Sequence, residues 1–305
     1  MFSQNTTRRD FLFIVAASVS WGTVGVANQL LYMHSATNAL SLAFLRLAIA
    51  ALLFLLASWL LPGRRLFQIK RRDLAVMLFM GGLQALYQAS YSAAISYAGV
   101  TVSTLIALCA APVLVALFST FMTRERLTPA TLMALIAALG GTVLLVVART
   151  HPGGGSASLP GVCLAFVAAC GYAGFILCGQ RLSSHYHPLH VNFVAFATGA
   201  LLLLILALPT RLVVVYSAGD WLILLYLGCI PTTLAYGLFQ LGMRSLTATT
   251  VSIVTLLEAL TAAVLAWLLF HEELSPLGLL GAALLLGAMA LILLVPTERQ
   301  KSAEM

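Results

Sequence analysis

Ten long apolar runs, joined by connections of only a few residues, occupy most of this 305-residue chain. They lie at about 11–33, 38–61, 74–97, 100–123, 128–148, 159–181, 188–209, 219–243, 246–270 and 275–295. Each is close to the ~20 residues that cross a ~30 Å hydrocarbon layer as a helix. The runs are continuously apolar instead of alternating over ten residues, which predicts helices and not barrel strands. The expected fold is an all-α membrane protein of ten transmembrane helices. Only 8% of the residues are charged, against roughly 25% in a soluble domain. Too little chain lies outside the runs to fold a nucleotide-hydrolysing module, and no G-x-x-x-x-G-K-[ST] loop occurs.

Orientation follows from where the basic residues fall. With the N-terminus in the cytoplasm, that side holds thirteen of the sixteen: Arg8, Arg9, Arg64, Arg65, Lys70, Arg71, Arg72, Arg124, Arg126, Arg181, Arg244, Arg299 and Lys301. The other side holds Arg149 and Arg211, and Arg46 lies inside a span. This asymmetry predicts two cytoplasmic termini and an even number of spans. It also explains the net charge of +7 without any nucleic-acid partner. TTRRDFLF, residues 6–13, has the look of a twin-arginine export signal. The apolar run behind it is longer than a signal segment and more spans follow, so Arg8 and Arg9 are read as the anchor of the first helix.

The five cysteines, Cys109, Cys163, Cys170, Cys178 and Cys229, fall within spans without a CxxC pair and read as small packing residues. The histidines sit in loops or at span ends; HYHPLH, 185–190, is read as a solvated connector and no metal is expected. No cofactor motif and no H-E-x-x-H or G-x-S-x-G is found, so the chain is read as not an enzyme.

The chain repeats itself. RERLTP at 124–129 matches HEELSP at 271–276, with Glu125 and Glu272, Leu127 and Leu274, and Pro129 and Pro276 related by one offset that also relates Gly140 to Gly287. Each loop ends in a hydroxyl residue before a proline, an N-cap followed by the first helical position. SWGTVG (20–25) and GYAGFI (171–176) correspond more loosely. The implied organisation is a first five-helix repeat over 1–150, a Gly/Ser-rich linker over 151–158, a second repeat over 159–296 and a tail over 297–305. Five is odd, so the second repeat enters the membrane from the opposite side and the repeats are inverted. In secondary transporters with this architecture the substrate site lies near the midplane between the repeats.

Within the third run, Gln84, Tyr87, Gln88 and Tyr91 recur at the spacing of one helix face. Facing lipid, unpaired amides and hydroxyls cost several kcal/mol, so the stripe should point into the bundle. There it serves either as hydrogen-bonding glue between helices or as the wall of a polar cavity. Thr233, Tyr236 and Gln240 make a similar face in the eighth run. Trp21, Gly22, Gly25 and Asn28 of the first run and Gly171, Tyr172 and Gly174 of the sixth are candidates for the remaining walls, the glycines equally for close helix packing.

Two charges lie deep. Glu258 is about twelve residues, ~18 Å, from the cytoplasmic end of its run. Arg46 is eight residues, ~12 Å, from the external end of its own, nearly the same depth. They form a buried ion pair, or Glu258 recognises a substrate ammonium, or it carries a proton.

Ten spans, Trp-Gly in the first, Leu45-Arg46 in the second, Pro112 in the fourth and a Glu-Leu-[Ser/Thr]-Pro-like start to the fifth and tenth resemble the EamA-type drug/metabolite transporters over nearly the whole chain. Many relatives read Glu-Pro in the ninth helix; this chain reads Glu258-Ala259 and lacks that kink-forming proline. The resemblance implies a ten-helix bundle in the bacterial inner membrane, moving amino acids or other small metabolites outward. The expected partners are a small amphipathic substrate, membrane lipid and protons if Glu258 couples to them. A cavity of rings, amides and one or two charges suits amino acids, aromatic ones included. Efflux of cationic drugs is the alternative within transport, and an intramembrane enzyme or a structural membrane protein are those outside it.

Overall fold

A computed structural model describes residues 4–60, 69–122, 127–147, 158–210, 212–270 and 276–294. Among these residues the chain forms ten helices and no strand. We name them α1 (Gln4–Gly22, continuing after a turn at Thr23 as Val24–His34), α2 (Ala39–Leu60), α3 (71–98), α4 (100–122), α5 (Pro129–Val147), α6 (Leu159–Ser183), α7 (Pro188–Ala207), α8 (218–242), α9 (248–270) and α10 (Pro276–Leu294). The spans expected from hydropathy match them in number and order. Nine are long and apolar enough to cross a membrane; α3 misses on hydropathy because it carries the polar stripe. α1 begins earlier than expected and takes Arg8 and Arg9 into its first turns.

Local chemistry sets several boundaries. The α3–α4 junction turns at Gly99, whose φ of 76° lies in the left-handed region open to glycine. Thr128 caps α5, accepting from the Thr131 amide at 3.1 Å, as the sequence predicts; the matching cap at Ser275 lies outside the described residues, as do the linker up to residue 157 and the tail. Ser158 caps α6 and donates to the Tyr97 carbonyl at 2.7 Å, which ties the entry of the second half to the end of α3.

Two helices depart from regular geometry. α8 consists of Ala218–Leu227, a π-helical stretch Gly228–Leu234 and Ala235–Gly242. Pro231 cannot donate to the Leu227 carbonyl, and that carbonyl accepts from the Thr232 hydroxyl at 2.7 Å instead. Thr233 donates likewise to the Gly228 carbonyl at 2.8 Å. α9 is two pieces, Ala248–Val254 and Leu257–Phe270. At the join, the amides of Leu256, Glu258 and Ala259 donate to the carbonyls three residues back, at 3.1, 3.0 and 3.0 Å. The ninth helix therefore breaks without a proline.

The packing maps onto itself when the halves are exchanged. α2 packs on α7 and α5 on α10; α1 lies along α8 as α3 lies along α6; α3 meets α7 as α8 meets α2. Single glycines carry this equivalence. Gly81 sits against Ala195 of α7, and Gly228, at the offset that relates Glu125 to Glu272, sits against Ile49 of α2; a Cβ would collide at both. Gly22 lies against Thr261 of α9 and Gly171 against Leu83 and Tyr87 of α3. The most enclosed side chains include Phe54, Phe175, Phe196, Phe239, Met77 and Met80.

Candidate functional site

The stripe on α3 and the polar positions of α1, α2, α6, α8 and α9 converge on the bundle axis, where they separate into two layers.

The layer nearer the N-terminal end of the bundle is closed. Tyr236 is its centre, with ring centroids 4.9 Å from Trp21, 4.8 Å from Phe196 and 5.5 Å from Phe175. Phe239 also meets Trp21, tilted, at 5.2 Å. Gln84 is buried and donates to the Tyr236 hydroxyl at 3.1 Å, joining α3 to α8 across the two halves. Gln240 is fully buried and donates to the Gly179 carbonyl of α6 at 2.7 Å. These contacts are the interhelical glue that the sequence allowed for. Aromatic pairs of this kind add about 0.5–1.5 kcal/mol each beyond their buried area, so the plug is a substantial seal.

The layer above it is different. Arg46, Tyr87, Tyr91, Tyr172 and Glu258 lie deep in the bundle. Each nevertheless keeps surface that a water molecule can touch, as do Asn28 and Gln88. Each therefore borders space that a water molecule can enter. Its aromatic wall is continuous: Tyr87 stacks on Tyr91 at 6.0 Å and meets Tyr172 at 5.4 Å. The Tyr91 hydroxyl is held by Thr104 of α4 at 2.6 Å, and Tyr172 reaches Thr255 beside the α9 break. Gly22, Gly171 and Gly174 are close-approach positions where a Cβ would press on a neighbour, while Gly25 has nothing within 4 Å and borders open space.

The two deep charges face this layer without touching. Among the described residues the one ion pair within 4.0 Å is Arg9–Asp10, near the start of α1. Arg46 makes a single long bond, Nε to the Thr232 hydroxyl at 3.4 Å, which leaves both terminal nitrogens without a partner among the described residues. Glu258 stands in the first turn of the second piece of α9, at the positive end of that piece's helix dipole. Its carboxylate accepts no bond from a described residue. Buried and without partners are also Trp21 Nε1, Asn28 Oδ1 and Gln84 Oε1. Native interiors pair polar groups, so the terminal nitrogens of Arg46 and the carboxylate of Glu258 are left for an occupant.

Thr232, Thr104 and Asn192 were missed in the sequence; Asn192 donates to the Tyr236 carbonyl at 3.1 Å and supports that ring. The available signal was Thr232-Thr233 directly behind Pro231, hydroxyls beside a proline within a span. No group of three or more His, Cys, Asp or Glu that could hold a metal ion occurs among the described residues, and all five cysteines are free thiols.

The pattern of one helical transporter family matches the chain twice, over residues 9–147 and 159–294. The chain belongs to the EamA-like transporter family. The double match coincides with the two halves that the packing exchanges. Similar proteins include YwfM of Bacillus subtilis, described as an uncharacterized transporter, 29% identical and covering 96% of each chain. YicL of Salmonella typhimurium, described as an uncharacterized inner membrane transporter, is 27% identical over 98% of this chain and 99% of its own. A transporter of Archaeoglobus fulgidus is 30% identical over 90% of this chain and 93% of its own. A solved crystal structure with 22% identity superposes with a TM-score of 0.80 over 95% of this chain and 98% of that one, and shows the same fold. The protein is therefore a multi-pass membrane protein of a transporter family.

Proposed function

We propose that this EamA-like protein is a secondary transporter of the bacterial inner membrane that exports small amphipathic metabolites, amino acids foremost. Transport runs by alternating access through the space between the two five-helix repeats, 1–150 and 159–296. The observation that carries the reading is the layer of Tyr87, Tyr91 and Tyr172 deep in the bundle, beside a guanidinium whose terminal nitrogens and a carboxylate whose oxygens have no partner among the described residues. Rings suit an apolar body, and a few fixed polar groups orient a polar head. The closed plug around Tyr236 and Trp21 is then the barrier that opens in the opposite state. Both termini face the cytoplasm in this scheme.

A cationic drug is the second reading, favoured by Glu258 standing among aromatic rings without a partner. Counterflow in proteoliposomes separates the two. Labelled amino acids accumulate if the first holds, and a delocalised organic cation does so if the second holds. Movement of neither would end the transport assignment. The orientation is tested by reporters, expected external at Gly154 and internal at Arg71.

A further inference from the structure

We infer that the site reads a zwitterion by both poles, with Arg46 as the receptor for the substrate carboxylate and Glu258 as the receptor for its ammonium. This rests on the transport reading above and narrows it to one class of substrate.

The pole assignment starts from what the two charges do without a ligand. Opposite charges brought into a dry interior form a contact pair where they can, because removing one partner leaves the other buried and uncompensated. Arg46 and Glu258 lie on α2 and α9, belong to different repeats, and do not form such a pair. A guanidinium carries five N–H donors in a rigid fork. Only Nε is engaged, by Thr232, and that bond orients the group so that its two terminal nitrogens remain for a ligand. A planar fork with both terminal nitrogens open matches the two oxygens of a carboxylate. Thr232 is itself placed by the π-helical stretch of α8 and fixed through its bond to the Leu227 carbonyl. The α8 irregularity therefore has a function: it sets the direction of Arg46.

Glu258 complements it. The break at Thr255 and Leu256 starts a new helix piece in mid-membrane, so the carboxylate sits in a first turn at the positive end of a helix dipole. It is an acceptor with no donor supplied by a described residue. An ammonium has three donors and no acceptor. A substrate carrying both poles satisfies both residues at once and leaves no net charge in the site. A cation or an anion alone satisfies only one. Beside the poles, Tyr87 and Tyr172 offer ring surface to the apolar body.

The test uses the full chain in proteoliposomes preloaded with a mixture of the twenty L-amino acids, with exchange read by mass spectrometry. The best-exchanged amino acid is then compared with its primary amide, which lacks the carboxylate, and with its des-amino acid, which lacks the ammonium. The wild type is expected to exchange the zwitterion about tenfold or more faster than either analogue, the scale of one lost charge-assisted bond. Arg46→Gln should lose about tenfold to a hundredfold on the zwitterion and on the des-amino acid while leaving the amide unchanged. Glu258→Gln should do the reverse, sparing the des-amino acid. Arg46→Lys keeps the charge without the fork and should raise the KM in a protein that still folds.

A uniform loss on all three probes in Arg46→Gln would make Arg46 structural and overturn the assignment. So would wild-type exchange of the amide as fast as the amino acid. Should the Gln variants fail to insert, thermal shifts of the wild type with the three probes give the same ranking without mutation. If an organic cation exchanges and no amino acid does, transport stands and the zwitterion reading falls. If nothing exchanges, both fall.

Discussion

α4 contains a proline and does not break; α9 breaks and contains none. Pro112 and Ala259 occupy equivalent places in the two halves, at the offset that relates Glu125 to Glu272. Around Pro112 the helix runs on, since neighbouring helices and local adjustment absorb one missing donor within a span. At Thr255 and Leu256 the helix stops and restarts, closing the gap with bonds to carbonyls three residues back. A helix break in this fold is thus decided by what the bundle needs at that depth, and proline is one way of making it. The residue before each position differs accordingly. Ala111 is 1% exposed and packs, whereas Glu258 borders accessible space. The scaffold is symmetric while its chemistry is not, for the guanidinium lies on α2 and Phe193 holds the matching place on α7.

The sharpest challenge to this comparison is to exchange the chemistry. Ala111→Glu places a carboxylate where no space, break or partner receives it. A charge at the centre of a span costs about 3 kcal/mol or more, so little folded protein should be recovered by size-exclusion chromatography. Glu258→Gln should remain folded with a thermal midpoint near the wild type. Equal tolerance of both changes would dissolve the distinction between the halves.

Next in size is a test of the shared scaffold. Gly81→Ala and Gly228→Ala each push a methyl group into the facing helix, Ala195 and Ile49 respectively. Overpacking of this kind costs about 1–3 kcal/mol, and thermal melts of the two variants should fall by similar amounts. A fall in one alone would show that the halves are not packed equivalently. Gly25→Ala meets nothing within 4 Å and serves as the neutral reference.

The smallest effect is expected from restoring the absent proline. Ala259 is the third residue of the second piece of α9, and the first turn of a helix tolerates proline. Ala259→Pro forfeits one short bond to the Leu256 carbonyl and should cost about 1 kcal/mol or less in a melt. The same substitution in an unbroken helix interior would cost about 3 kcal/mol. A loss of that larger size would mean that α9 is continuous.

Much of the site was legible because its signals are local. The spacing of Gln84, Tyr87, Gln88 and Tyr91 on one face follows from 3.6 residues per turn, and the depth of Arg46 and Glu258 follows from counting along a span. Which of these residues seal and which stay open was not legible. Gln84 and Gln88 differ by one turn of α3, yet one is locked onto Tyr236 and the other keeps accessible surface. Tyr236 and Gln240, read as part of a cavity face, belong to the closed plug through partners on α3, α6 and α7. Those partners are distant in sequence, and no periodicity encodes them.

The amino-acid sequence by itself determined the partition into ten spans, the duplication and the identity of the deep charges. All three depend on transfer from water to lipid or on residue order, which each segment carries alone. The tertiary structure alone decided that α9 breaks without proline, that Thr232 aims Arg46, and that Arg46 and Glu258 border accessible space without pairing. Each of these depends on how helices from opposite repeats approach one another, where a shift of one ångström makes or removes a hydrogen bond.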